Sequence, residues 1–591
     1  METPSPDTPT SDTPAAVSAP RPRRRRWLLK LVRSLVVLVA LVALFHAIEY
    51  WRGWRAFEKV KRELAAKGET LEWAAFIPPP VPDDQNVMKD PFMASRFVKN
   101  AKDREWLPKR PVWCPSTKLG WPPSLDQLKA LPREPANEAA LQAALASSPT
   151  NPAMDSVEFD QELLREALAL MGDLAKLDLE FSPEALAAVS SGTNQELDTR
   201  VSLRWENLTA RQALARLLRG NLLGAERPDP AKPLRITLAE PSLEAFLDWF
   251  HLYDGEWKAL QAAMQRPKVR FDGDYNNPWS IGVFNFLGLR HVSQDLCVWA
   301  KVNLLLGNPA AAGQDLEMMW QLTRLTRASP VLVATLIEVA LAGLYVSTVG
   351  EGLQASLWPD AQLAAIEARL AEFNLLGSFA NSFRHERAAW VQFLVASPRG
   401  RLVRIFSAES GWFRSWFTSW GLFSALAPRG WVLQNTVLAS RYMQVGLDRI
   451  DAGKQRYYPA AGRDSPALTA LETAWRPYRF LAGVAAPNFE KAATTAASAQ
   501  TQVNLAIVAC ALERCRRQTG RYPDSLDALV PRWVQKLPHD LITGEPLKYR
   551  RLDSGQYLLY ATGLDGKDDG GKGAPTDPNP KDWVWHFVPA K

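Results

Sequence analysis

At 591 residues the chain is longer than one hydrophobic core normally serves, so several domains are expected. Its net charge of +7 is accounted for by one N-terminal stretch holding Arg21, Arg23 to Arg26, Lys30 and Arg33, beyond which acids and bases balance; that excludes the basic patch of a nucleic-acid-binding protein. Four cysteines, Cys114, Cys297, Cys510 and Cys515, supply neither a disulfide framework nor a zinc spacing.

Residues 1–20 are almost all Pro, Thr, Ser, Ala and Asp, too poor in apolar side chains to fold, and residues 1–26 read as a disordered cytoplasmic tail. The apolar run 27–48 is long enough, at ~1.5 Å per residue, to cross a ~30 Å hydrocarbon core as one helix, with Lys30 and Arg33 snorkelling to the headgroups. The arginines ahead of it hold the N-terminus inside. A cleaved signal peptide is the competing reading, but no small-x-small site follows the apolar core, and Tyr50, Trp51 and Trp54 carry the pattern on as an interfacial anchor. The expectation is therefore an uncleaved signal anchor in a bacterial inner membrane, with the bulk of the chain periplasmic. Residues 57–67 continue the helix. Residues 77–84, holding Pro78, Pro79, Pro80 and Pro82, read as a stiff spacer that keeps later domains off the membrane, and 94–150 shows little periodicity.

Between 155 and 240 the period changes cleanly. Residues 156–159 read as a strand, 162–177 as a helix, 177–181 as a strand, 200–206 as an alternating strand through Val201, Leu203 and Trp205, 209–219 as a helix and 234–238 as a strand. This order, with Val201-Ser202-Leu203-Arg204-Trp205-Glu206-Asn207-Leu208-Thr209 leading into Ala213-Leu214 and Leu217-Leu218, resembles the short N-terminal domain of secretins and TonB-dependent receptors, which implies a small α+β module. Residues 224–230 stand where that family has a strand after the second helix, which leaves one sheet edge in question.

Residues 241–488 are mainly helical, with apolar spacing of three and four over 296–306, 314–326, 331–349, 361–373 and 379–394, and breakers at Gly307-Asn308-Pro309, Pro330 and Pro359. The run 331–349 is apolar enough for a second span, but Glu338 sits midway, so a buried core helix is expected. His385 and Glu386 are adjacent on a helix and point ~100° apart, which makes a structural or solvated face the expectation rather than a catalytic pair. Trp412, Trp416 and Trp420, with Phe413 and Phe417, sit at helical spacing and suit either a core or a face toward the membrane or a partner.

The last hundred residues carry the densest set of motifs. Residues 505–518 form an amphipathic helix closed by Gly520, Gly520-Arg521-Tyr522-Pro523 leads to a short helix through Leu526-Asp527-Ala528-Leu529 that Asp524 is placed to cap, and Leu537-Pro538-His539-Asp540 precedes a turn at 543–546. Residues 547–551 and 556–561 make a hairpin across Asp553-Ser554-Gly555, and Gly563-Leu564-Asp565-Gly566 opens an acidic loop before Asp582-Trp583. Motifs in this order resemble the globular domain of the major pseudopilin of type II secretion, the protein G type. The resemblance implies a structural unit without catalysis and a calcium ion in the loop, held by Asp565 and Asp582. Asp568 and Asp569 add carboxylates to the same loop, and Asp577 rivals Asp582 as the closing ligand. A solvated acidic turn is the alternative. The helix entering this domain begins Phe489-Glu490-Lys491, too polar for lipid, so the pilus-forming route of that family is not expected here.

The fold class expected is thus α+β multidomain: residues 1–26 a tail, 27–48 one transmembrane helix, 49–154 a juxtamembrane helix and linker, 155–240 a small α+β module, 241–488 a helical domain and 489–591 a pseudopilin-like α+β domain. Two functions remain open. One is a membrane-anchored extracytoplasmic interaction or assembly protein linked to secretion or envelope transport, with envelope protein partners. The other is an envelope hydrolase with its site in the central helical region. They separate on whether the fold gathers titratable side chains in a pocket or presents exposed apolar faces and sheet edges.

Overall fold

The computed structural model describes residues 23–97, 121–189, 200–396, 427–472 and 489–589, apart from a few positions inside these bounds, together with residues 479 and 482. The expected disordered tail over 1–20, Cys114 and the stripe of Trp412, Trp416 and Trp420 lie outside the described residues.

Helix α1 (Arg23–Ala65) runs unbroken for 43 residues, with no proline to interrupt it. In its first half Leu35, Val39, Val42 and Ile48 face outward, and none of the most apolar window is buried within the protein. Glu49 marks the change. Its carboxylate is buried and accepts hydrogen bonds from Arg52 Nη1 at 2.6 Å, Trp431 Nε1 at 3.1 Å and Gln434 Nε2 at 3.1 Å. From there α1 packs on the body, with Val60 and Leu64 buried against Val391 and Val437.

The proline-rich segment after α1 does not stand the body off. Trp73 is buried and donates its indole N–H to the Tyr275 carbonyl at 2.5 Å. Asn86 bonds the backbone of Arg270 in both directions, and Val87 and Met88 are buried. An extended spacer would have left these apolar side chains in water, so the segment lies along the body instead. Short helices α2 (Pro91–Arg96), α3 (Leu125–Lys129) and α4 (Glu138–Ala146) complete this region.

The small α+β module follows as β1 (Ala153–Leu163), α5 (Leu164–Leu174), β2 (Leu179–Phe181), α6 (Pro183–Val189), β3 (Arg200–Thr209), α7 (Ala210–Gly220), β4 (Leu223–Glu226) and β5 (Leu234–Leu238). β1 and β3 form an antiparallel ribbon with Val157 opposite Trp205 and a bulge between Phe159 and Glu162. β5 is the middle strand of a second sheet, parallel to β2 and antiparallel to β4. The edge that the sequence left open is therefore filled by β4. Its four residues have weak strand propensity of their own, and pairing with β5 imposes the conformation.

The helical body comprises α8 (Leu243–His251), α9 (Asp254–Met264), α10 (Phe286–Leu305), α11 (Pro309–Arg327), α12 (Leu332–Gln354), α13 (Asp360–Ala371), α14 (Leu375–Ala396), α15 (Arg429–Asp448) and, after the two-residue strands β6 (Ile450–Asp451) and β7 (Arg456–Tyr457), α16 (Pro466–Glu472). α12 has the length and composition of a span, yet Glu338 is fully buried within the protein and accepts from Arg327 Nε at 2.7 Å. It packs against α10, α11 and α14 as a core helix.

α17 (Phe489–Thr519) is longer than its predicted stretch and is not one-faced: Val503, Leu505, Ala506, Val508, Cys510, Ala511 and Leu512 are all buried. It lies between α12, α13 and α14 on one side and the antiparallel sheet β8 (Lys548–Arg551), β9 (Tyr557–Thr562), β10 (Asp582–Val584) on the other. One connected set of buried side chains consequently runs from Trp73 to Trp585. Cys510 and Cys515 are free thiols. Asp524 caps nothing; it pairs with Arg551 Nη2 at 2.8 Å, and Ser525 takes the position before the 3-10 turn Leu526–Leu529.

Candidate functional site

Two places gather chemistry, and the first is the acidic loop between β9 and β10. Asp582 is fully buried, and its Oδ2 accepts the backbone N–H groups of Asp569 at 3.1 Å, Gly571 at 2.8 Å and Lys572 at 3.3 Å. Gly570 and Gly571 hold φ values of +79° and +77°, which only glycine adopts cheaply and which turn these N–H groups inward. It is the backbone donors of this loop that point in, because they neutralise the buried carboxylate. Burial raises the Asp582 pKa, and the Gly571 and Lys572 N–H groups oppose the rise.

The other carboxylates of the loop spread out. Asp568 Oδ1 accepts from the Tyr560 hydroxyl at 2.8 Å and from Gly570 N–H at 2.9 Å, which lower its pKa. Asp565 is exposed, with Oδ1 on the Lys567 N–H at 3.1 Å; Asp569 lies 3.7 Å from Lys581 Nζ, and Asp577 is exposed. Among the described residues, no three Asp, Glu, His or Cys side chains form a metal-holding group. The fit to calcium rests on one atom: Asp582 Oδ1 is buried with no hydrogen-bond partner in the described structure, the condition a bound cation would relieve. Asp568 is the neighbouring carboxylate whose charge Asp582 feels.

The second place is a cleft of about 550 Å³ where the small module meets the helical body, lined by α4, α7, α8 and the end of α10. Thr209 starts α7 with a full capping box to Gln212, and the helix brings Arg211, Arg216 and Arg219 to the cleft. Arg219 bridges Glu138 at 2.7 Å and Asp248 at 2.5 Å. Burial raises the Asp248 pKa despite this partner; for Arg219 burial opposes the charge, and the two carboxylates outweigh it. At the α8–α9 corner His251 Nδ1 lies 2.9 Å from Asp254 Oδ1, whose other oxygen is 3.6 Å from Arg216 Nη1. The Asp254 carboxylate thereby fixes the orientation of the imidazole. Arg133 stands 3.8 Å from Glu244, whose pKa burial also raises. Carboxyls pushed upward beside an oriented imidazole can transfer protons, and the guanidiniums can hold an anionic group.

Nothing in the sequence joined these residues, because positions 133 to 308 meet only when α7 docks on α8. The local hint was Asp248, His251 and Asp254 at successive spacings of three, one edge of a helical corner. Elsewhere, the His385 ring lies 4.7 Å from that of Phe76, its Nδ1 contacts the Asn381 carbonyl at 2.7 Å, and burial lowers the histidine pKa and raises that of Glu386.

No family model matches the chain, and no curated protein and no solved structure matches it.

Proposed function

We propose that this chain is a single-pass protein of a bacterial inner membrane, N-terminus cytoplasmic, whose periplasmic body serves an assembly linked to secretion or envelope transport through envelope protein partners. The observation that carries this reading is the continuity of α1. A helix whose first half is apolar and outward-facing and whose second half is locked into the body at Glu49 is built to stay attached, whereas a signal sequence has no need of such packing. Outer edges of the β1–β3 ribbon that pair with no further strand among the described residues, and the exposed Leu170, Leu174 and Leu186, suit protein partners. A calcium ion in the acidic loop, on Asp582 with Asp568 beside it, belongs to the same reading, with Asp565 and Asp569 farther out; its role is to stiffen the loop. The test is a full-length chain carrying a phosphatase at its C-terminus: activity in the periplasm with an unshortened N-terminus is expected, and a chain that begins near residue 49 overturns the anchor.

A second reading, an envelope hydrolase, draws on the cleft, where Asp248 and His251 stand among arginines and Asp254 holds the far side of the imidazole. Hydrolysis of chromogenic ester or phosphate probes that is lost in His251→Ala would favour it; equal rates in both proteins would remove it.

A further inference from the structure

α15 covers only half of the α1 face on which it packs. Glu49, Gly53, Ala56, Val60 and Leu64 recur at spacings of three and four. Glu49 accepts from Trp431 and Gln434, Gly53 meets Gly430 through backbone, and Val60 and Leu64 are buried with Val437. The same spacing continues toward the N-terminus through Phe45, Val42, Leu38 and Leu35, and there every member is exposed. The pairing itself reaches one step further down, because the Phe45 ring meets that of Trp431 edge-on at 6.1 Å. It stops there only because α15 starts at Arg429.

The stretch of chain just before α15 departs from this point. α14 arrives at the same place: Val391 is buried with Val60 and Leu64, Val395 packs against that cluster, and the Val395 carbonyl accepts from Arg429 Nη2 at 2.5 Å. Helix ends this close need a connection of ~2–8 residues. The chain instead uses residues 397–428, of which 397–426 lie outside the described residues.

The sequence of that connection is in phase with α15. Trp416, Trp420 and Phe423 precede Gly430, Gln434 and Val437 by fourteen residues each, two heptads, so they prolong the row by which α15 meets α1. At ~100° per residue Arg414 and Thr418 fall on the opposite side. α15 runs parallel to α1, with Trp431 beside Glu49 and Asp448 paired to Lys67 at 2.8 Å, numbering offsets of 382 and 381. The same offsets bring Phe423 to Val42, Trp420 to Leu38 and Trp416 to Leu35. Residues 397–415 can make the descent: at up to ~3.4 Å each they reach ~65 Å, and Leu35 lies ~38 Å below Val60 along the helix. α1 is apolar on every side in this half, so it is the register, and not apolarity, that selects the face.

We propose that residues 412–426 pack along α1, setting Phe423, Trp420 and Trp416 on Val42, Leu38 and Leu35 and prolonging the α1–α15 pair toward the N-terminus. The proposal goes beyond the anchor reading, since it concerns one side of α1 and leaves the others to whatever surrounds the helix.

The test places benzoylphenylalanine at position 420 of the full-length chain in phosphatidylglycerol vesicles, photolyses it, and maps the adducts by mass spectrometry. Adducts within residues 35–42 of the same chain are expected. The reciprocal probe in place of Leu38 should label 416–423, and one in place of Ala40, ~160° round the helix from Leu38, should not. Leu38 is exposed, so its replacement keeps the test decisive even where the change at Trp420 impairs folding. Adducts to lipid alone from positions 420 and 38 overturn the proposal in favour of a segment lying in the membrane. Adducts that join two chains, seen as a doubled mass, overturn it in favour of a second copy. Equal labelling of 416–423 from positions 38 and 40 overturns it as well, because no face of α1 is then selected.

Discussion

A Cβ placed on Gly430 would stand 1.8 Å from the carbonyl oxygen of Glu49, so α1 and α15 meet there backbone to backbone. Gly430→Ala cannot be absorbed by a side-chain rotation, because the obstacle is main chain. Overpacking of this kind costs ~1–3 kcal/mol. Full-length G430A in detergent should melt lower than wild type and be cut faster by protease near residues 49–65. An unchanged melting temperature would show that the helices can separate at no cost.

Asp540 is fully buried and accepts four hydrogen bonds: from Ile542 N at 2.8 Å, Thr543 N at 3.1 Å, and Thr562 N and Oγ1 at 2.7 Å each. Asp540→Ala strands these donors, and buried unsatisfied groups cost ~1–3 kcal/mol apiece. The expected result is a loss of at least ~3 kcal/mol in denaturant midpoint analysis. Asp540→Asn, which keeps an acceptor on one side, should lose less.

Asp315 titrates in a range where few carboxyls do. Burial raises its pKa to about 8, with only the Asn303 amide, 3.0 Å away, opposing the shift. The folded state therefore holds a proton that the unfolded chain releases near pH 4, and stability falls as pH rises from about 4 to about 8, then levels off. Asp315→Asn removes the ionisation at nearly constant volume. It should melt like wild type at pH 4 and above it at pH 8; parallel curves at both pH values would show that Asp315 is ionised in the fold.

In the acidic loop, Asp582→Asn separates the two duties of that residue. An amide oxygen still accepts the three loop N–H groups, while the atom in the position of Oδ1 can no longer meet a cation. Full-length wild type should melt higher in millimolar calcium than in chelator by linkage, and D582N should show no difference between the two. A shift of equal size in both proteins would take calcium away from this loop.

Legibility followed the distance over which each feature is decided. The Thr209 helix start was readable because a capping box is local, and the central helices because their apolar spacing survives any context. The strand Leu223–Glu226 was not, since its neighbours in the sheet and not its own residues make it a strand. The amphipathic pattern of α17 shows one face only, because nothing in its own sequence signals that α12, α13 and α14 cover the second side. Of the loop acids, Asp582 is buried and orders the loop, whereas Asp565 and Asp569 stay at its surface; composition alone does not distinguish them. The arginine cleft is assembled by docking of two units and leaves only the Asp248, His251, Asp254 edge as a trace.

The unbroken course of α1 also sets the mechanics of the molecule. On the proposed reading of α1 as a membrane anchor, its backbone contact with α15 at Gly53 and Gly430 leaves no swivel among the described residues between anchor and body, and membrane helices commonly tilt by ~20°. Any change in tilt, from a thicker bilayer or a neighbour in the membrane, would swing the body through the same angle like an arm on a rigid shaft. The orientation of its outermost surfaces would then report the state of the membrane beneath it.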